Sequence, residues 1–300
     1  MIKIEDVSKK FDDIMALDHV SAQINEKSIF GLVGTNGAGK STLLRVMSGV
    51  LKPESGRVLI DEMPVWENPQ AKERLCFLAD TAWFFPNSTP EMMRDYYKIV
   101  YPEFMSGRFD DLLAKFDLDP KRKLATFSKG MKKQVSVLLG ICANTQYLFC
   151  DETFDGLDPV MRQTVKSLFA AEIMNRKFTP VIASHSLREI EDICDHIGLL
   201  HKGGILFAKD LDEMKLGIHK IQCVITDHEA EKRLFEELEV LKQEKRGSLL
   251  TVIARGSYDE VLGRIEEKQP LFYEILPLTL EEIFISETEV VGYDIKNLIF

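Results

Sequence analysis

A chain of 300 residues that is 45% hydrophobic can build one large core and a second, smaller one. Its formal net charge of −10 excludes a nucleic-acid footprint over the whole molecule, which would need a basic face. The five cysteines, Cys76, Cys142, Cys150, Cys194 and Cys223, are scattered, odd in number and free of CxxC pairs, which fits reduced thiols better than disulfides or zinc.

The first segment, MIKIEDVSKKFDD, carries charge from Lys3 onward and has no apolar stretch of signal-peptide type, so export by that route is not expected. From residue 1 to about 208 short β-branched or aromatic runs alternate with helical segments, the pattern of a largely parallel sheet covered by helices. MIKIEDVS, SAQIN, SIFGLVG, GRVLID, RLCFLAD, QYLFCDE, TPVIASH and HIGLLHKG read as strands. Periodicity near 3.6 marks STLLRVMSGV, TPEMMRDYYKIV, RFDDLLAKF, KGMKKQVSVLLGICA, DPVMRQTVKSLFAAEIMN and LREIEDIC as helices. The longest apolar runs, VSVLLGI and QYLFC, fall short of the ~20 residues needed to span a bilayer. Beyond about residue 209, KIQCVIT, SLLTVIARG and PLFYEILPL read as strands, and HEAEKRLFEELEVL, SYDEVLGRIEEK and TLEEIFISE as helices. The expectation is a small α+β module over 209–300.

Residues 34–42, GTNGAGKST, satisfy GxxxxGK[ST] between an apolar strand and a helix. The glycines Gly34, Gly37 and Gly39 let backbone N–H groups close on phosphate oxygens, and the helix start adds the positive end of its dipole. Thr35, Asn36, Ala38 and Thr42 complete the loop as nucleotide-binding candidates. Lys40 should reach the β- and γ-phosphates, and Ser41 should ligand Mg²⁺. QYLFCDE ends an apolar strand in two carboxylates and delivers them to the sheet edge where such a loop sits. Asp151 suits a Mg²⁺ shell, and Glu152 is the candidate that polarises attacking water. FSKGMKKQ, residues 127–134, reads as a helix start capped by Ser128, with Lys129, Lys132 and Lys133 continuing the basic run of Lys121, Arg122 and Lys123.

With these motifs the chain resembles the nucleotide-binding subunits of ABC transporters, most closely those of separate-chain ABC-2 exporters. FSKGM falls where that family has its signature, DGLDP at 155–159 looks like its D-loop, and SHS around His185 like its switch-histidine segment. The five motifs occur in the family's order over residues 1–208. The resemblance implies an α/β P-loop NTPase core of ABC ATPase type, with a helical subdomain over about 81–145 and the accessory module behind it. It also implies ATP and Mg²⁺ as cofactors and hydrolysis in a head-to-tail dimer, formed with a second copy or a paralogous ATPase subunit. In that dimer Ser128, Gly130 and Met131 close on the partner's nucleotide. Asp158 and Gly156 would carry signals between the two sites, His185 would contact the γ-phosphate, and Phe11 would stack on adenine.

The chain departs from the family at Phe127, Lys129 and Met131, where the signature has leucine, glycine and glutamine. It departs again at Asp80, a metal candidate beside Ser41 and Asp151, where the family has a glutamine that senses Mg²⁺, attacking water and the membrane subunit. Trp83, Phe84, Phe85, Tyr96 and Tyr97 would suit the groove that grips a membrane subunit, placing the protein in the cytoplasm on the inner face of the cell membrane. A soluble ABC ATPase serving assembly or regulation shares every motif. A GTP switch is disfavoured by the absence of an NKxD segment.

Overall fold

The computed structural model describes residues 1–154, 157–211 and 217–290. The chain forms two compact units that divide between Ala208 and Lys209. The expected signalling glycine Gly156, in the DGLDP segment, lies outside the described residues.

The first unit is built on a six-stranded sheet in the order β10-β9-β3-β8-β7-β6. Its strands are β3 (Phe30–Val33), β6 (Leu75–Leu78), β7 (Tyr147–Asp151), β8 (Thr179–Ser184), β9 (His196–His201) and β10 (Gly204–Asp210). Strands β9, β3, β8, β7 and β6 pair in parallel. Every residue of β3, β7 and β8 is buried, as expected of parallel strands covered on both faces. Val33 pairs with Ser184, and Ala183 with Asp151, so these three strands finish side by side.

The N-terminal strands do not join that sheet, contrary to the single, largely parallel sheet expected from the alternation. β1 (Ile2–Phe11), β2 (Ile14–Ile24), β4 (Ser55–Ile60) and β5 (Met63–Pro64) form a separate antiparallel sheet, ordered β2-β1-β4-β5. The reason is local. Phe11 faces Ile14 across a two-residue turn in which Asp12 takes φ 49°, and a link that short permits only an antiparallel return. β2 therefore starts seven residues before SAQIN; exposed Asp18 and His19 had hidden its alternation.

Helix α1 (Lys40–Met47) follows β3 and the short α2 (Pro69–Lys72) precedes β6, while between β6 and β7 lie α3 (Pro90–Val100), α4 (Ser106–Lys115) and α5 (Lys129–Cys142). Thr89 and Ser128 cap α3 and α5 by accepting the N–H groups of Met92 and Met131. α5 is buried from Val135 through Cys142. At Gly140 a Cβ would lie 2.8 Å from the Leu148 side chain and 2.9 Å from Leu78, so glycine lets this helix rest directly on β6 and β7. All five cysteines are buried and unpaired.

The second unit has strands β11 (Ile218–Val224), β12 (Glu239–Arg246), β13 (Leu249–Arg255) and β14 (Phe272–Leu276) in the order β12-β13-β11-β14, every neighbour antiparallel. Helices His228–Glu237 and Tyr258–Glu266 follow β11 and β13, giving the β-α-β-β-α-β order of ferredoxin-like folds. A helix at Leu280–Val290 follows β14. The helix expected over HEAEKRLFEELEVL stops at Glu237, and the charged segment EVLKQEKR is an edge strand. Leu234 and Leu238 are buried and carry the helical period past the true end, while charge on an edge strand discourages pairing with other chains. Among the described residues no helix is long and apolar enough to cross a membrane.

Candidate functional site

The phosphate loop leaves β3 and runs into α1 (Lys40–Met47). A Cβ at Gly34 would come within 2.3 Å of the Leu200 carbonyl oxygen, and one at Gly39 within 2.4 Å of the Ala16 oxygen. Gly37 takes φ 80° and Gly39 φ 105°, both in the left-handed region. Gly39 supplies no side-chain cap to α1, so the N–H groups of its first turn are available to an anion. Asn36 and Gly37 are exposed, Thr35 and Thr42 half-buried, and Ala38 buried.

Lys40 is buried, and its Nζ donates to the carbonyl oxygens of Gly34 at 2.7 Å and Thr35 at 3.1 Å. It also lies 3.7 Å from Glu152 Oε1. Burial lowers the pKa of its ammonium, and the negative charges of Glu152 and Asp151 work against that shift. Ser41 Oγ donates to Asp151 Oδ1 at 2.8 Å. Asp151 is almost wholly buried at the end of β7, and burial raises its carboxyl pKa against the opposing bond from Ser41.

Glu152 follows at φ 46°, with its N–H donated to the Ala183 carbonyl at 2.9 Å. Its Oε2 is 3.1 Å from His185 Nδ1. His185 leaves β8 just before α7 (Leu187–Ile193), which Ser186 caps. Behind it Ser184 Oγ donates to Glu189 Oε2 at 3.0 Å and accepts the Ser186 N–H at 2.9 Å, while Arg162 donates to Glu189 Oε1 at 2.9 Å. This buried network fixes the turn that presents His185. Sequence reasoning missed it, although a carboxylate on the apolar face of LREIEDIC was its visible trace.

Lys133 is the clearest departure from expectation. Although it belongs to the basic run, its side chain is buried, and Nζ donates to the Glu152 carbonyl at 2.7 Å and lies 3.5 Å from Asp80 Oδ1. The signal was the spacing: Lys133 shares a helical face with Val137, Gly140 and Ile141, all buried. Asp80, a candidate metal residue, is thus ion-paired with Lys133, whereas Ser41 and Asp151 bond to each other.

Ser128 is exposed and caps α5 with its hydroxyl, bonded 3.2 Å from Met131 N. Gly130 and Met131 are half-buried in the first turn. The Asp158 carboxylate likewise caps α6 (Pro159–Asn175), accepting the Met161 N–H at 2.9 Å. Phe11 is exposed at the β1–β2 turn, with Lys9 Nζ 5.4 Å from its ring centroid. Trp83, Phe85 and Tyr96 are exposed and touch edge to face with centroids 4.8 Å apart at each step, whereas Phe84 and Tyr97 are half-buried. Nearby, a cavity of about 720 Å³ opens between Val50, Leu75, Phe77, Val100, Tyr101 and Pro102.

These groups converge because parallel strands end at one edge, the place where open α/β sheets bind ligands. The free N–H groups of α1 and the Lys40 ammonium suit a polyphosphate. The hydroxyl and carboxylate of Ser41 and Asp151 are hard oxygen donors of the kind Mg²⁺ takes when phosphates complete its shell. No group of three or more His, Cys, Asp or Glu side chains placed to hold a metal ion occurs among the described residues.

A profile of the family described as ABC transporter matches residues 17–155. The ABC transporter ATP-binding protein YtrB of Bacillus subtilis is 31% identical over 96% of this chain and 98% of its own length. The bacitracin transport ATP-binding protein BcrA of Bacillus licheniformis is 28% identical over 72% of this chain and 71% of its own. A solved ATP-binding subunit of an ABC transporter superposes with a TM-score of 0.66 at 24% identity, covering 72% of this chain and 92% of that one. A dimeric ATP-binding cassette bound to ADP and Pi gives 0.63 at 21%, covering 70% and 99%.

Proposed function

The chain belongs to the ABC transporter family of ATP-binding proteins, and from that premise we propose that it is the ATP-hydrolysing subunit of an exporter whose membrane subunits are separate chains. Two copies, or one copy and a paralogue, bind two ATP head to tail, and closure and opening of that dimer drive the membrane subunits. The protein works in the cytoplasm, held to the inner face of the membrane through those partners.

The observation that carries the reading is Glu152 set between Lys40 at 3.7 Å and His185 at 3.1 Å, next to the Ser41–Asp151 pair. The amides of the phosphate loop and Lys40 bind and orient the phosphates, so that charge building on the γ-phosphoryl group meets donors already in place. Ser41 and Asp151 would hold Mg²⁺, which when bound neutralises charge on the phosphate oxygens. Glu152 accepts a proton from the attacking water and keeps it in line, and His185 holds the carboxylate in that direction. Ser128 at the start of α5 would present a hydroxyl and a helix N-terminus to the nucleotide of the other subunit. The exposed aromatic ridge of Trp83, Phe85 and Tyr96 and the apolar cavity beside α3 suit a helix of a membrane subunit.

The test is ATP turnover and ATP binding in wild type and Glu152→Gln. Retained binding with turnover nearly abolished supports the reading; undiminished hydrolysis refutes it.

A further inference from the structure

Lysine is rarely buried unless paired, yet Lys133 is 2% exposed in a helix whose next turns are apolar. Two of its contacts bear on the site. Nζ donates to the Glu152 carbonyl at 2.7 Å and stands 3.5 Å from Asp80 Oδ1. The Glu152 backbone sits at φ 46°, which a non-glycine residue keeps only when its surroundings impose it. Its N–H is tied to Ala183 on β8 and its carbonyl to Lys133 on α5, so the peptide is held from two elements at once. With the backbone pinned, the carboxylate points between Lys40 and His185.

We propose that Lys133 is a positioning residue for the water-activating carboxylate, and that Asp80 sets where the Lys133 ammonium stands. Asp80 is 55% exposed just beyond β6, whereas the Lys133 side chain that it pairs with is buried. Asp80 supplies the buried ammonium with an opposite charge at 3.5 Å, which an uncharged amide at position 80 would not. The inference rests on the reading of Glu152 as the group that activates water.

The experiment compares the full chain with Lys133→Met, Lys133→Arg, Asp80→Asn and Glu152→Gln. It measures kcat and KM for ATP hydrolysis, the Kd of a fluorescent ATP analogue, and thermal melting. Lys133→Met is expected to lower kcat by ~10²-fold, the cost of a small misplacement of a reacting group, with the Kd unchanged. Lys133→Arg, which keeps the charge and the donors, restores most of that loss. Asp80→Asn lowers kcat by less and leaves KM alone. Wild-type kcat in Lys133→Met, or no rescue by Lys133→Arg, overturns the inference. If Lys133→Met does not fold, Asp80→Asn decides, and wild-type kcat there overturns it equally. Glu152→Gln separates the two levels: dead Glu152→Gln with a fully active Lys133→Met sinks this inference alone, whereas an active Glu152→Gln sinks the reading beneath it.

Discussion

His185 Nδ1 lies 3.1 Å from Glu152 Oε2, although the two residues are thirty-three positions apart in the chain. The contact exists because β7 and β8 are parallel neighbours and Asp151 is in register with Ala183, so the residues leaving each strand emerge on one edge. The imidazole and the Lys40 ammonium flank the carboxylate from two sides, which leaves it a narrow range of directions.

Glu152→Gln should lower kcat by ~10²- to 10⁴-fold, the usual contribution of a positioned base. ATP affinity should hold, since the amide replaces the carboxylate without touching the phosphate loop. Turnover assays and equilibrium ATP binding check both halves, and sizing of the ATP-loaded variant should find a stable dimer.

Ser41→Ala removes the hydroxyl that satisfies the buried Asp151 and one proposed metal donor. The Mg²⁺ concentration at half-maximal turnover should rise by ~10- to 100-fold, as for other changes around a ligated metal. A Mg²⁺ titration of the ATPase rate reads this directly.

Ser128 separates capping from function by its variants. Ser128→Ala loses the bond to Met131 N and should cost ~1 kcal/mol of stability. Ser128→Arg should abolish turnover while the Kd of the monomer for ATP stays at the wild-type value, because the closure it blocks is onto another subunit.

Gly39→Ala places a Cβ 2.4 Å from the Ala16 oxygen at φ 105° and should destabilise the fold by ~1–3 kcal/mol. Gly107→Ala, at an exposed position of α4 with nothing near the new methyl, should stabilise by ~0.4–1 kcal/mol. Denaturant melts of the two variants should shift in opposite directions.

Burial alone would raise the Asp61 carboxyl, but donation from the Met1 amine, the Tyr147 hydroxyl and Arg74 outweighs it and holds the pKa at about 2, below its ordinary 3.8. A carboxyl held low in the folded state stabilises fully above its unfolded pKa and loses that contribution as the pH falls through the folded one. Asp61→Asn should therefore be less stable than wild type by ~2 kcal/mol near pH 7, and the gap should close as the pH drops from 3.8 to about 2. Denaturant unfolding across that range tests it.

What the sequence determined by itself were the features written in adjacent letters. The phosphate loop is nine consecutive residues whose glycines, lysine and serine act through local backbone geometry, and the caps at Thr89 and Ser128 satisfy N–H groups three residues on. The strand run ending in Asp151 and Glu152 was legible because a strand buried on both faces reads as continuous apolar residues. Only the tertiary structure decided which distant groups meet. The Asp12–Asp13 turn makes β1 and β2 antiparallel locally, but the pairing of β1 with β4, which makes theirs a sheet apart from the parallel one, joins segments far apart in the chain. Lys133 reads as one more member of a basic run until α5 lies down on β6 and β7 and carries its ammonium to the Glu152 carbonyl and Asp80. Pairings of this kind depend on packing between elements far apart in the chain, and a periodicity of 2 or 3.6 residues says which face is buried without saying against what.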